Sequence, residues 1–135
     1  MDEYPMRLLI VDDEIEFARY VATVAEGLGF ETEIFEHAHP FQEACRAKSP
    51  DAVLVDMVMP DMDGIELVTW LSQRGTTAHL MVATGYNPKY AEMAEILGAQ
   101  STFSSITKLQ KPIRAVELRE VLSSFLESNS NASTS

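Results

Sequence analysis

The chain has 135 residues, 46% of them hydrophobic, which suits one soluble globular domain large enough to bury a core. Twenty-one acidic residues against ten basic ones give a formal net charge of −11, which disfavours direct binding to nucleic-acid phosphates. No apolar stretch approaches the roughly 20 residues that span a bilayer, and the acidic first residues argue against a secretory signal. Since Cys45 is the single cysteine, an intrachain disulfide is impossible and a cytoplasmic location is expected.

Short apolar runs alternate with amphipathic stretches, and the hydrophobic period switches between strand and helix values. Strands are predicted at 6–11, 30–35, 51–56, 79–84 and 104–109. Helices are predicted at 14–28, 40–48, 64–74, 88–100 and 112–126. The first and third strands are almost continuously apolar, as buried parallel strands are, whereas the second partly alternates with acids and is expected at an edge.

Five successive strand–helix units predict an α/β fold whose parallel sheet carries helices on both faces. In such folds a ligand binds beyond the C-terminal ends of the strands. Residues 1–127 are assigned to this domain, and the polar residues 128–135 are predicted to be a disordered tail or a truncated linker.

Polar side chains of types that can bind ions or react lie at four of the predicted strand ends. Asp12 and Asp13 follow the first strand, Asp56 ends the third, Thr84 ends the fourth, and Lys111 follows the fifth. Each has an ordinary local explanation; Asp12 and Asp13, for example, could simply place negative charge at a helix N-terminus. Their joint occurrence at one edge of the sheet favours a common site.

Crowded carboxylates favour a hard cation such as Mg²⁺, which takes oxygen ligands. A metal beside a carboxylate nucleophile would offset its repulsion of an incoming phosphoryl group. A lysine ammonium and a threonine hydroxyl could hold phosphoryl oxygens. The residue types therefore match the demands of phosphoryl transfer to an aspartate.

The sequence resembles the receiver domains of response regulators, the phosphoacceptors of two-component signalling, over about residues 5–126. The motifs that carry the resemblance are Leu9-Ile-Val-Asp-Asp-Glu14, Asp56-Met-Val-Met-Pro-Asp-Met-Asp-Gly64, Ala83-Thr84 and Lys111-Pro112. The resemblance implies a five-stranded, doubly wound flavodoxin-like (βα)5 fold with the strand order 2-1-3-4-5.

The resemblance also implies a role for each site residue. Asp56 would be the phosphorylated residue, and Thr84 and Lys111 would hold the phosphoryl oxygens. Mg²⁺ would be ligated by the side chains of Asp13 and Asp56 and by the backbone carbonyl of Val58, with Asp12 assisting through water. Pro60 and Gly64 would shape the loop after the third strand, the glycine by permitting a backbone turn that a Cβ disfavours.

A sensor histidine kinase or a histidine phosphotransfer protein is the implied partner. A homodimer through the last strands and helices and an output domain missing from this chain are further expectations. Details of the segment between Thr84 and Ile113 are similar to receivers attached to EAL-type cyclic-di-GMP phosphodiesterases, although these 135 residues contain no EAL segment. The expected chemistry is self-phosphorylation and self-dephosphorylation, without ordinary enzymatic turnover.

Two other functions stay open. Lys108 stands where many receivers have a switching aromatic residue, three positions before the lysine of the Lys-Pro pair, which leaves room for a degenerate receiver that acts as a binding module. An aspartyl-phosphate phosphohydrolase would generally carry a second acid two residues after the nucleophile. Val58 occupies that position here and argues against this class.

Overall fold

The computed structural model describes residues 5–59, 62–85, 92 and 101–134, with side chains described as far as 128. These ranges contain, in chain order, β1 (Arg7–Val11), α1 (Ile15–Gly27), β2 (Glu31–Phe35), α2 (Ala38–Ala47), β3 (Ala52–Asp56), α3 (Gly64–Gln73), β4 (His79–Thr84), β5 (Ser105–Gln110) and α4 (Ala115–Thr134). Of the helix predicted at 88–100, residue 92 alone lies within the described residues. Among the helices that are described, none is long and apolar enough to cross a bilayer.

All five strands form one parallel sheet in the order β2-β1-β3-β4-β5. The predicted fold class and strand order are therefore confirmed. The strand with alternating acids, β2, lies at an edge as its pattern predicted, and the two nearly continuous apolar strands, β1 and β3, are adjacent in the interior. An interior parallel strand is covered on both faces, which is why its sequence lacks a polar face.

The hydrophobic core consists of two layers, one on each face of the sheet. Leu8 and Ile10 of β1 pack on the face that also holds the buried side chains of α1 and α4. Leu9 and Val11 point the opposite way, into the layer shared with α2 and α3. This alternation follows from the two-residue period of a strand, and both layers hold the sheet firmly beneath the strand ends.

Two helices, α2 and α4, differ from the sequence predictions by two residues or more at a boundary. Helix α2 begins at Ala38, so that Pro40 is its third residue; this is still in the first turn, where a backbone N–H has no intrahelical acceptor. Helix α4 begins at Ala115 and continues to Thr134, past the predicted end at 126. The sequence after Pro112 contains no proline or glycine to stop it.

The last side chains of α4 that pack against the core are Phe125 and Leu126, and Glu127 is exposed. The helical backbone therefore continues where the sequence predicted a disordered tail. The division of the chain into a domain at 1–127 and a tail at 128–135 stays a prediction.

Gly64 begins α3 and lies against the end of β3. Its N–H donates to the carbonyl of Met57 at 3.1 Å. A Cβ at this position would lie 2.5 Å from Met57 Cα and 3.0 Å from the carbonyl oxygen of Asp56. The described glycines with positive φ are Gly29 and Gly75, so a left-handed backbone conformation is not what requires glycine at position 64. The short distances agree with the prediction that a Cβ is disfavoured at Gly64. Close approach of two backbone segments is what requires glycine here.

We expect Gly64→Ala to destabilise the protein by about 1–3 kcal/mol, because the added methyl group meets backbone atoms that cannot rotate away. Urea unfolding measures the change in the free energy of unfolding. Gly27→Ala is the matched control: the same methyl group enters open space in α1, and it should be neutral or stabilising by up to about 1 kcal/mol. Equal effects of the two substitutions would contradict the steric explanation.

Candidate functional site

The parallel register places the polar residues predicted from the sequence at one edge of the sheet. Asp56 is the last residue of β3 and pairs in register with Ala83, directly before Thr84. On the next strand, the N–H of Lys111 donates to the carbonyl of Thr84 at 2.9 Å, so the strand ladder continues one step past β5. Asp12 follows β1, and its N–H donates to the carbonyl of Phe35 at 2.9 Å. Backbone hydrogen bonds thus hold the site from several neighbouring strands.

Three carboxylates meet at this edge. One oxygen from each of Asp12, Asp13 and Asp56 lies within 4.8 Å of the other two. Asp12 is fully buried and Asp56 is only 5% exposed, whereas Asp13 is open to solvent. We call these three residues the acid cup. Asp12 and Asp56 form its buried floor, and Asp13 is its exposed member.

Asp12 has two roles, one on each oxygen. Its Oδ1 accepts a hydrogen bond from the N–H of Glu14 at 2.8 Å, which turns the chain into α1. The local explanation of Asp12 as a residue that prepares a helix start is thus correct in part. Its Oδ2 is buried, and no donor in the described part of the chain is aligned to hydrogen-bond with it. Burial, partly offset by the Glu14 N–H and by Lys111, raises the pKa of Asp12 above its usual range.

The surroundings of Asp56 also disfavour its negative charge. Burial and then the negative charge of Asp12 raise the pKa of Asp56 from 3.8 to about 7, although Lys111 and the N–H of Val58 act in the opposite direction. The Val58 N–H donates to Asp56 Oδ1 at 3.2 Å. Val58 itself is 55% exposed, so the space beside Asp56 on this side is accessible from solvent.

Lys111 is the cation that faces these acids. Its Nζ lies 2.9 Å from Asp12 Oδ2 and 3.9 Å from Asp56 Oδ1, and it also contacts Glu14 Oε1 at 2.5 Å. Burial by itself lowers the pKa of Lys111, but its contacts with Glu14 and Asp12 and the charge of Asp56 outweigh burial and raise it. Lys111 therefore stays charged and compensates part of the negative charge in the cup.

Two residues near Lys111 were not assigned a role from the sequence. They are Glu14, which follows the acidic pair, and Phe17, which lies in α1. The ring of Phe17 lies beneath Lys111, with Nζ 4.4 Å from the ring centroid. The spacing of Glu14 and Phe17, three residues apart at the start of a helix, places both on one face, but nothing in the sequence alone directs that face toward residue 111.

Thr84 is buried at the end of β4, one strand from Asp56, and its carbonyl holds the backbone of Lys111. Lys108, the residue at the usual place of a switching aromatic, is exposed on β5 and pairs in register with Val82. Phe103 is partly buried and packs on the core layer beside α2 and α3. Pro60 lies outside the described residues.

The residues present fit a divalent cation of the Mg²⁺ type. The cup offers only carboxylate oxygens, which are the ligands that Mg²⁺ prefers, and one of them is the buried Asp12 Oδ2 without an aligned hydrogen-bond donor. Burial raises the pKa of Asp12 and of Asp56, and Lys111 offsets this only in part. The Val58 carbonyl as a ligand stays a prediction.

The fold and its edge define a flavodoxin-like α/β domain with an acidic site at the carboxyl ends of its strands. Residues 8–123 match the response regulator receiver domain family. The chain belongs to this family, the receiver domains of two-component systems.

Relatives in the same family extend the comparison. The photosynthetic apparatus regulatory protein RegA of Rhodobacter capsulatus is 29% identical over 115 residues, which are 85% of this chain and 60% of RegA. Sporulation initiation phosphotransferase F of Bacillus subtilis is 26% identical over 127 residues, covering 93% of this chain and 97% of that protein. The signal receiver domain of a LuxO repressor protein from Vibrio parahaemolyticus has the same fold, with a TM-score of 0.81 at 19% identity over 97% of both chains. The chain thus spans less than two thirds of RegA and nearly all of the sporulation protein.

We expect Asp56→Asn to stabilise the metal-free protein in a pH-dependent way. Because the folded-state pKa of Asp56 is about 7 and its ordinary value is 3.8, the folded state binds more protons between these values. Stability is therefore lost as the pH rises through this window, by at most about 4 kcal/mol once the pH exceeds about 7. Asparagine cannot ionise and avoids this loss.

Urea unfolding with a chelator present, at about pH 8 and about pH 5, measures the effect. The advantage of Asp56→Asn over the wild type in the free energy of unfolding should be larger at the higher pH. An advantage that is equal at both values would show that the charge of Asp56 is not the cause.

Proposed function

We propose that this receiver domain accepts a phosphoryl group from a phosphohistidine donor onto Asp56, in the presence of Mg²⁺. The observation that carries the proposal is the juxtaposition at one sheet edge of the three carboxylates of Asp12, Asp13 and Asp56 with the ammonium of Lys111. Family membership supports the same chemistry, and so does the nearly complete coverage of a relative named as a phosphotransferase.

Asp56 has the properties that the nucleophile needs. It ends a fully buried strand, and the Val58 N–H orients its Oδ1. In the transfer, a carboxylate oxygen of Asp56 bonds to phosphorus as the phosphorus–nitrogen bond of the donor breaks. The imidazole leaves with the electron pair of that bond, so no oxidation or reduction takes place. Only ionised Asp56 can attack, and Lys111 favours this form by lowering the carboxyl pKa.

The side chains of Asp13 and Asp56 and the Val58 carbonyl are the proposed ligands of Mg²⁺, with Asp12 assisting through water. When bound, this ion supplies positive charge that offsets the repulsion between the carboxylate and the phosphoryl group and stabilises charge on the phosphoryl oxygens. Lys111 and the Thr84 hydroxyl are the proposed partners of those oxygens. Ammonium–phosphoryl contacts of this kind are charge-assisted and stronger than neutral hydrogen bonds.

The proposed partner is a sensor histidine kinase or a histidine phosphotransfer protein, met in the cytoplasm. The chain does not act as a turnover enzyme in this proposal; its chemistry is limited to gaining and losing one phosphoryl group. An output domain outside this chain remains part of the proposal because the chain covers 60% of RegA. A homodimer through the last strands and helices is a further part of it. The most specific version of the output-domain proposal is attachment to an EAL-type phosphodiesterase.

We expect incubation with Mg²⁺ and a small phosphodonor such as acetyl phosphate to add one phosphate to the chain, seen by intact mass spectrometry. Asp56→Asn should abolish the adduct, and a chelator should suppress it in the wild type. Asp51→Asn is the matched control, since Asp51 precedes the same strand at its other end and is exposed; the adduct should persist in it.

The other outcomes separate the competing functions. No adduct with a folded wild-type chain would favour a degenerate receiver that acts as a binding module. Sustained release of inorganic phosphate from a phosphomonoester would instead favour a phosphohydrolase. An adduct that survives Asp56→Asn would place the phosphate on another residue and overturn the assignment of Asp56.

A further inference from the structure

The Lys111 ammonium is held by a carboxylate outside the acid cup. Its Nζ donates a hydrogen bond to Glu14 Oε1 at 2.5 Å. Its contact with Asp12 Oδ2 at 2.9 Å lacks hydrogen-bond alignment, and Asp56 Oδ1 is beyond hydrogen-bond distance at 3.9 Å. Among these three carboxylates, Glu14 is the one that receives an aligned hydrogen bond from Lys111.

Glu14 cannot follow Lys111 far into the site. It is the N-cap residue of α1, its N–H is tied to Asp12, and its carbonyl accepts from the Ala18 N–H at 3.1 Å. Its side chain is 64% exposed, so the carboxylate projects toward solvent, away from the buried floor. A movement of Lys111 toward a group on Asp56 therefore weakens or breaks the contact with Glu14.

A divalent cation in the cup would strengthen the role of Glu14. Such a cation takes oxygens of the acids with which Lys111 is paired and repels the ammonium. Glu14, which is not part of the cup, then remains as a negative partner for Lys111, and the face of Phe17 supports the same position.

We propose that Glu14 is a positioning residue that retains Lys111 at the rim of the site and competes for it with the phosphoryl group on Asp56. This inference rests on the proposed function, because it concerns how the lysine is made available to that group. Glu14 touches neither the nucleophile nor the donor; it acts through Lys111. The hold is modest because the Glu14 side chain is 64% exposed, although that of Lys111 is only 13% exposed. The contact therefore adjusts the stability of the phosphorylated state and does not prevent that state from forming.

The test compares Glu14→Gln with Glu16→Gln in the full chain. Both substitutions remove one negative charge from the start of α1, and Glu16 is exposed and outside the described contacts of Lys111. Beryllium fluoride at saturating Mg²⁺ is the probe, since its trifluoride complex on a carboxylate stands in for the phosphoryl group. Titration followed by ¹⁹F NMR gives its affinity.

We expect Glu14→Gln to bind beryllium fluoride about two- to five-fold more tightly than Glu16→Gln, the range that corresponds to one ion pair whose carboxylate is exposed. A double-mutant cycle adds a readout that a merely structural role of Glu14 would not move. In a Lys111→Met background the difference between the two glutamine variants should disappear, because the ammonium for which Glu14 competes is gone.

Equal affinities of Glu14→Gln and Glu16→Gln would overturn the inference, as would a difference that persists without Lys111. Weaker binding by Glu14→Gln would overturn it too, by showing that Glu14 presents Lys111 to the phosphoryl group. If Lys111→Met binds too weakly to measure, the comparison of the two single variants decides. These outcomes leave the proposed function intact; a folded wild-type chain that takes up neither beryllium fluoride nor phosphate would refute both.

Discussion

Negative charge is crowded at the carboxyl end of a buried parallel sheet, and the other features of the site compensate for it. Asp12 and Asp56 are both nearly inaccessible to water, and the negative charge of Asp12 raises the cost of ionising Asp56. Lys111 offsets part of that cost, but when all three carboxylates are ionised, one ammonium leaves two negative charges uncompensated. The charge of a divalent cation equals this deficit, and the carboxylates present fit such an ion.

The packing beneath the strand ends is what allows this crowding to persist. The two core layers hold β1 and β3 from opposite faces, so the carboxylates cannot separate without disturbing buried apolar side chains. Gly64 adds a local constraint, because the start of α3 lies against the backbone of Met57 and Asp56 with no room for a Cβ. Asp63 supports it by accepting a hydrogen bond from the Ile65 N–H at 2.7 Å, which caps the helix.

The sequence correctly predicted those features of the fold and site that follow from a single physical rule. Apolar runs and their periods identified the five strands to within about a residue, and strand ends in a parallel sheet must share an edge, so Asp12, Asp56 and Lys111 could be grouped in advance. The strand order came from the family resemblance. Properties that depend on two distant segments were missed: the close backbone approach at Gly64 and the contact between Glu14 and Lys111, which are 97 positions apart. The end of α4 was missed because a polar composition predicts exposure and does not by itself stop a helix.

The charge balance of the site also explains why a residue outside the acid cup could matter to its chemistry. In the proposed reaction, the single charge of ionised Asp56 is replaced by about two charges on its phosphoryl group. Lys111 is then attracted inward more strongly than in the resting protein, where its aligned hydrogen bond goes to Glu14. The free energy of the phosphorylated state therefore includes the cost of breaking the contact between Lys111 and Glu14. A carboxylate at this exposed position affects the stability of the phosphorylated state more than it affects the buried acids. A surface residue can in this way adjust the lifetime of the modification while the cup and the core remain unchanged.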